Sequence, residues 1–349
     1  MNKNKGLQLG AVLAAMLLLS MAFVPAVSAE VLSQGTVYEV VTTDQPKLIP
    51  ESIPAINSTQ IEHRPFWYLI EADKEEQKIL FKYIDNSYVS NKEKQGMKKA
   101  MKEIWENPDQ ISEENQLMLE RVAVANAEYL NDVYGNKDVG IEWSYSPDHG
   151  DIAYISVTKW GISSYYAQIA YNAAPKPDDW DSGFWQGYNH YYNPGSGIGA
   201  APANCNKFAG YAKTNYSSGN YNTAFTNLGY SSHYLSDVGN PLHTGREYDQ
   251  GLNQWVHTGY ESYISGNWTT GHNFKNIISG NNIYYIINNP EQAAKDEAGQ
   301  SNVDLDNLYT LIYYYPNTWQ SDPNVKAITD RSLLRTAKYN LGLVKYMTG

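Results

Sequence analysis

Over residues 149–160 the apolar side chains Ile152, Ile155 and Val157 return at helical intervals, and the same period recurs through much of the second half of the chain. It predicts further helices over about 220–238, 253–264, 304–315 and 330–347. The first of these stops before Asn240 and Pro241, because proline has no N–H to donate and restricts the residue ahead of it. Upstream, two charged helices are predicted at about 92–105 and 112–134, with Asn107 and Pro108 as the break. Short apolar runs at 66–70 and 79–83 predict a strand pair, and residues 38–41 an extended opening. Residues 175–203 are rich in Pro, Gly and Asp and read as mainly loop, and no repeat of solenoid period is present. The pattern implies a mainly α domain over 143–349 preceded by a smaller α+β segment over 30–142, an accessory domain or propeptide.

At 349 residues the chain can bury a substantial core. Its first 29 residues have the form of an export signal: Lys3 and Lys5 precede an apolar stretch from Gly10 to Val24, and Val27, Ser28 and Ala29 offer small residues for cleavage before Glu30. A secreted protein is therefore expected, with no transmembrane helix after processing. A single cysteine, Cys205, rules out a disulfide within the chain. A net charge of -11 argues against broad electrostatic capture of a nucleic acid backbone, although bound divalent cations would reverse that locally.

Five of the seven histidines, His149, His190, His233, His243 and His257, fall within about a third of the chain. His233 and Asp237 stand four apart on one predicted helix, and His257 and Glu261 repeat the spacing on another. Residues four apart share a helix face, so each pair can aim two donors at one ion, and neutral imidazole with carboxylate is an ordinary zinc ligand set. His243 follows the break at Pro241, where a ligand can approach from another direction. His63 and His272 fall outside this pattern, and Cys205 reads as a packed small residue.

Read together, these residues give H-x3-D-x5-H-x13-H-x3-E, and the stretch Asp237-Val-Gly-Asn-Pro-Leu-His243 lies at its centre. The segment resembles the bacterial zinc-dependent phospholipases C and, more distantly, the secreted zinc single-strand nucleases. His190-Tyr-Tyr-Asn-Pro194 is similar to a further element of that family, as are His149-Gly-Asp-Ile-Ala153 and Asp179-Trp-Asp181. The resemblance implies a multi-helix fold with a cleft holding up to three Zn2+ ions. One would be bound by Asp179, His190, His233 and Asp237, a second by His243, His257 and Glu261. A third would take His149, the bridging Asp237 and the amine of Trp143, which requires cleavage between Glu142 and Trp143. The distance from Asp179 to His190 is shorter than in the family, so Asp178 and Asp181 stand as alternatives to Asp179.

The resemblance further implies hydrolysis of a phosphodiester, with Asp179 as general base. A phospholipid is the first substrate and diacylglycerol with a phosphorylated head group the products, with peripheral membrane contact. The Glu that ends the motif matches the phospholipase branch, and Trp180 takes the place of an aromatic that holds a choline group. A secreted nuclease and a non-catalytic zinc-binding surface module are the alternative readings.

Overall fold

A computed structural model describes residues 47–55, 64–135, 147–180, 184–245 and 251–349. The expected leader and the extended opening at 38–41 lie outside them. The described residues fall within one compact unit, and the structure is mainly α as the periodicity implies.

The upstream segment opens with a short strand, β1 (Ile49–Glu51), followed by α1 (Trp67–Ile70), α2 (Lys74–Asn86), α3 (Asn91–Glu106) and α4 (Glu113–Tyr134). The strand pair expected at 66–70 and 79–83 is helical instead. A capping box explains the second run: Asp73 accepts from the backbone N–H groups of Glu75 and Glu76, while the Glu76 side chain accepts from the N–H of Asp73. Ser90 with Glu93 forms a second box at α3, and Ser112 caps α4.

Downstream come α5 (Pro147–Lys159), α6 (Ser164–Ala173), a 3-10 turn at Lys176–Asp179, α7 (Phe184–Asn189), α8 (Ala201–Ser217) and α9 (Tyr221–Gly239). A 3-10 turn, Pro241–His243, leads on towards α10 (Gln254–Gly266), α11 (Lys275–Gly280), β2 (Ile283–Tyr285), α12 (Pro290–Asn302), α13 (Leu305–Tyr314) and α14 (Pro323–Thr348). The region expected to be loop thus holds a 3-10 turn and α7, and α14 begins earlier than its period indicated. β1 pairs in parallel with β2, Ile49 opposite Ile283, and Lys338 holds Glu51 at 2.8 Å.

Two cores flank α9. One gathers Ala153, Tyr166, Ala170, Ala209, Phe225, Leu235 and Leu343. The other joins Leu69, Leu80, Ile84, Met101 and Leu130 to Tyr260, Leu308, Ile312 and Ile328, so helices from both sides of residue 142 share it. The composition changes near residue 142, but the packing does not. Among the described residues no helix is long and apolar enough to cross a membrane.

Residues 231–239 of α9 are all buried, and its rear face meets α12 and α14 through polar groups. Ser232 donates to Asn340 Oδ1 at 2.6 Å, and Asn340 Nδ2 donates to Ser236 Oγ at 3.2 Å. Lower down, Thr336 donates to Glu297 Oε1 at 2.8 Å, beside Gly239, where a Cβ would collide with both side chains. Burial pushes the Glu297 carboxyl up from 4.5 to about 8, against the opposing effects of the Thr336 hydrogen bond and the charge of Arg335.

Two outcomes are expected. Leu69→Ala, which opens a cavity at a fully buried position, should cost about 2–5 kcal/mol in chemical denaturation. Between pH 4.5 and about 8 the folded protein keeps a proton on Glu297 that the unfolded chain has released, so stability from this group is full below 4.5 and lost as pH rises through 8. Glu297→Gln should flatten that decline when denaturation midpoints are compared across the window; an equal slope in the variant would contradict the assignment.

Candidate metal centre

The first group of donors forms around Asp237, whose carboxylate is 1% exposed. α5 brings His149, with Nε2 at 3.3 Å from Asp237 Oδ1. The segment after α7 brings His190, with Nδ1 at 2.9 Å from Asp237 Oδ2, and α9 supplies His233 one turn before, with Nε2 at 3.2 Å from the same oxygen. The His190 and His233 nitrogens are themselves 2.8 Å apart. The 3-10 turn at Lys176–Asp179 adds a second carboxylate: Asp178 Oδ1 is 3.4 Å from both His190 Nδ1 and His233 Nε2.

This is where the structure departs from the expected ligand set. Asp179 faces away, half-exposed, and pairs with Lys176 at 3.2 Å. In a turn of about three residues per revolution, adjacent side chains point in different directions, and Pro177 ahead of Asp178 fixes the turn's entry. Only one of two neighbouring acids can face the histidines. The other alternative, Asp181, and Trp143 lie outside the described residues.

The second group sits beside the first. His243 Nε2 is 3.1 Å from Glu261 Oε1 and 2.9 Å from His257 Nε2, and His257 Nε2 is 2.5 Å from Glu261 Oε1. Glu261 and His257 lie one turn apart on α10, as the spacing implied. Asn240 caps the 3-10 turn by accepting from Leu242 N–H, which places His243 at its end. The two groups are tied together through the backbone. His243 Nδ1 donates to the carbonyl of His190 at 2.8 Å, and Tyr192 N–H donates to the carbonyl of His243 at 3.0 Å. A carbonyl can only accept, so His243 carries a proton on Nδ1 and turns Nε2 towards His257 and Glu261.

The electrostatics favour charged acids: burial opposes protonation of His190 and His243, yet the hydrogen bond and charge of Asp237 raise the pKa of the first, and the hydrogen bond to Glu261 lifts that of the second to about 9. Burial opposes ionisation of Asp237, yet the charge of His233 and hydrogen bonds from His149 and His190 hold its carboxyl well below the usual range. Burial likewise opposes ionisation of Glu261, but His257 and His243 bring it down to about 2. Burial of His233 outweighs its acidic neighbours and lowers its pKa.

These residues fit a divalent cation. Ring nitrogens of facing imidazoles meet at hydrogen-bonding distance in two places, together with buried carboxylates, and Asp178 Oδ2 is buried with no hydrogen-bond partner among the described residues. Uncompensated, such a cluster of acceptors is costly to bury; around a cation it becomes a ligand shell. Three sets of donor atoms gather within 4.8 Å of one another: His149, His233 and Asp237; Asp178, His190 and His233; His243, His257 and Glu261.

The helices that carry these donors are anchored by residues the ligand motif does not contain. On α5, Asp151 Oδ2 accepts from Trp268 Nε1 at 2.7 Å and meets Lys275 at 2.8 Å, and Asp148 accepts from Ser265 at 3.0 Å. On α9, Ser232 and Ser236 each precede a ligand and repeat its four-residue spacing, which is the one signal in the sequence that a second face is held. Asn340, which holds that face, lies a hundred residues further along and carries no such signal.

No family model matches the chain. Among curated proteins, the Phospholipase C of Listeria monocytogenes serovar 1/2a is 29% identical over 115 residues, which covers 31% of this chain and 38% of the relative. The match therefore spans well under half of that relative's length. Among solved structures, the alpha toxin from Clostridium absonum aligns with a TM-score of 0.42 at 16% identity, over 59% of this chain and 64% of the toxin. The alpha-toxin of Clostridium perfringens from an avian strain aligns with a TM-score of 0.41 at 15% identity, over 58% and 61%. In its sequence the chain is similar to a phospholipase C, the resemblance that the spacing of its histidines and acids implies.

Proposed function

We propose that this chain is a secreted, zinc-dependent phospholipase C that hydrolyses a phospholipid to diacylglycerol and a phosphorylated head group. The observation that supports it most is the buried meeting of His149, His190 and His233 on Asp237, next to a separate group of His243, His257 and Glu261. Two adjoining ligand sets of this kind suit a phosphodiester, whose attacking and leaving oxygens both carry charge that must be stabilised.

Asp178, His190, His233 and Asp237 would hold one ion, and His243, His257 and Glu261 a second. His149 and Asp237 would share a third with the amine of Trp143, freed by cleavage between Glu142 and Trp143. Bound zinc would supply Lewis-acid stabilisation of the phosphate and a source of deprotonated water near neutral pH. The protein's own share is to exclude bulk water and to fix the direction of the imidazoles. Asp178 takes the role of general base expected of Asp179: its free oxygen is buried at the site, where a water proton can be accepted. Trp180, 46% exposed and packed edge-on to Tyr230, offers a ring face near that turn for a quaternary ammonium head group.

Secreted protein should release a phosphorylated head group from lecithin, lose that activity to a chelator and regain it with zinc. His233→Ala should lower both bound metal and turnover. Asp178→Asn should reduce turnover by about a hundredfold or more, whereas Asp179→Asn should stay within a few-fold of the parent. Metal-loaded protein that leaves phospholipid intact but digests single-stranded nucleic acid would favour the nuclease reading instead.

A further inference from the structure

The upstream helices reach the second donor group through hydrogen bonds that bracket the start of α10. Asn131, near the end of α4, donates from Nδ2 to the carbonyl of Leu252 at 2.9 Å and accepts at Oδ1 from Trp255 N–H at 3.2 Å. Trp255 belongs to the first turn of α10, whose N–H groups have no partner inside the helix, and the helix's own flanking residue, Asn253, supplies no side-chain cap. Asn253 is instead drawn into the shared core, where its Nδ2 donates to the hydroxyls of Tyr68 at 2.9 Å and Tyr309 at 2.7 Å. Tyr134 closes the contact, with its ring 5.5 Å from that of Trp255. His257 follows Trp255 by two residues and Glu261 by six, so the direction of both ligands is set by how α10 begins.

We infer that Asn131 is a positioning residue for the His243, His257 and Glu261 group, and that the helices at 67–134 are a permanent part of the enzyme rather than a prosegment to be shed. The inference rests on the metal-site reading above in its first half only. A side chain from outside the ligand motif does for α10 what its own flanking residue does not. The same helices place Leu69, Ile84 and Leu130 in one core with Ile312 and Tyr313. Tyr83 donates to the carbonyl of Tyr313 at 3.0 Å, and Tyr314 donates to that of Tyr68 at 2.8 Å. Departure of the segment would expose this core and uncap α10 together. Cleavage between Glu142 and Trp143 is compatible with all of these contacts, and would yield two chains that stay together.

Two measurements on the full-length protein test this. In the first, chelated protein is titrated with zinc in competition with a coloured chelator. Asn131→Ala should weaken one class of site by about tenfold and spare the others, and Asn131→Asp, which keeps the acceptor for Trp255 N–H, should restore most of the loss. Equal weakening of every site, or none, would overturn the positioning role. In the second, a specific protease sequence is placed within 136–142, cleaved, and the product passed over a sizing column without denaturant. Co-elution of both fragments and a single unfolding transition support the inference, whereas a downstream fragment that elutes alone and stays folded overturns it. The second readout involves no metal, so a chain that bound no zinc at all would sink the proposed function and leave this half to be judged separately.

Discussion

A carboxylate buried among three imidazoles is the constraint on which the centre of this molecule depends. Asp237 is removed from water in the last turn of α9, and an ionised acid there is tolerable only if positive or electron-poor partners surround it. His149, His190 and His233 converge on it from three separate segments, so α5, the segment after α7 and α9 must all arrive in register. The rear face of α9 is bolted by Ser232, Ser236 and Asn340, and Gly239 permits the close approach of α12 and α14. The hydrogen bond from His243 to the carbonyl of His190 then sets the second group relative to the first.

Much of the centre can be read from the chain because helical periodicity carries it. His233 with Asp237, and His257 with Glu261, meet because residues four apart on a helix share a face. Pro241 announces the turn that presents His243. The choice between Asp178 and Asp179 is illegible for the converse reason: spacing to His190 cannot tell which of two neighbours a 3-10 turn will point inward. Short apolar runs are equally ambiguous: those at 66–70 and 79–83 satisfy a strand as well as a helix, and only the second is decided by the box formed by Asp73 and Glu76. α8 and α12 escape notice because they pack through Ala209, Ala212, Ala294 and Ala298, whose small side chains give little periodic signal.

The change in charge density near residue 142 is a surface property, and the core beneath it runs through. Lysines and glutamates on α3 and α4 face solvent while Met101, Val122 and Leu130 lie in the same core as Ile312 and Tyr313. Composition therefore marks where the surface chemistry changes, and only the burial of the apolar faces tells which helices are one body. That body places Asn131 at the start of the helix that carries His257 and Glu261, and so links the upstream helices to the second donor group.

The central claim is that these side chains are a shell for metal ions. Anomalous scattering at the zinc absorption edge, from crystals of the protein purified without chelator, tests it most directly. The account expects strong peaks beside Asp237 and between His243, His257 and Glu261. Interpretable density for all of these side chains with no anomalous peak among them, even after zinc is supplied, would contradict it.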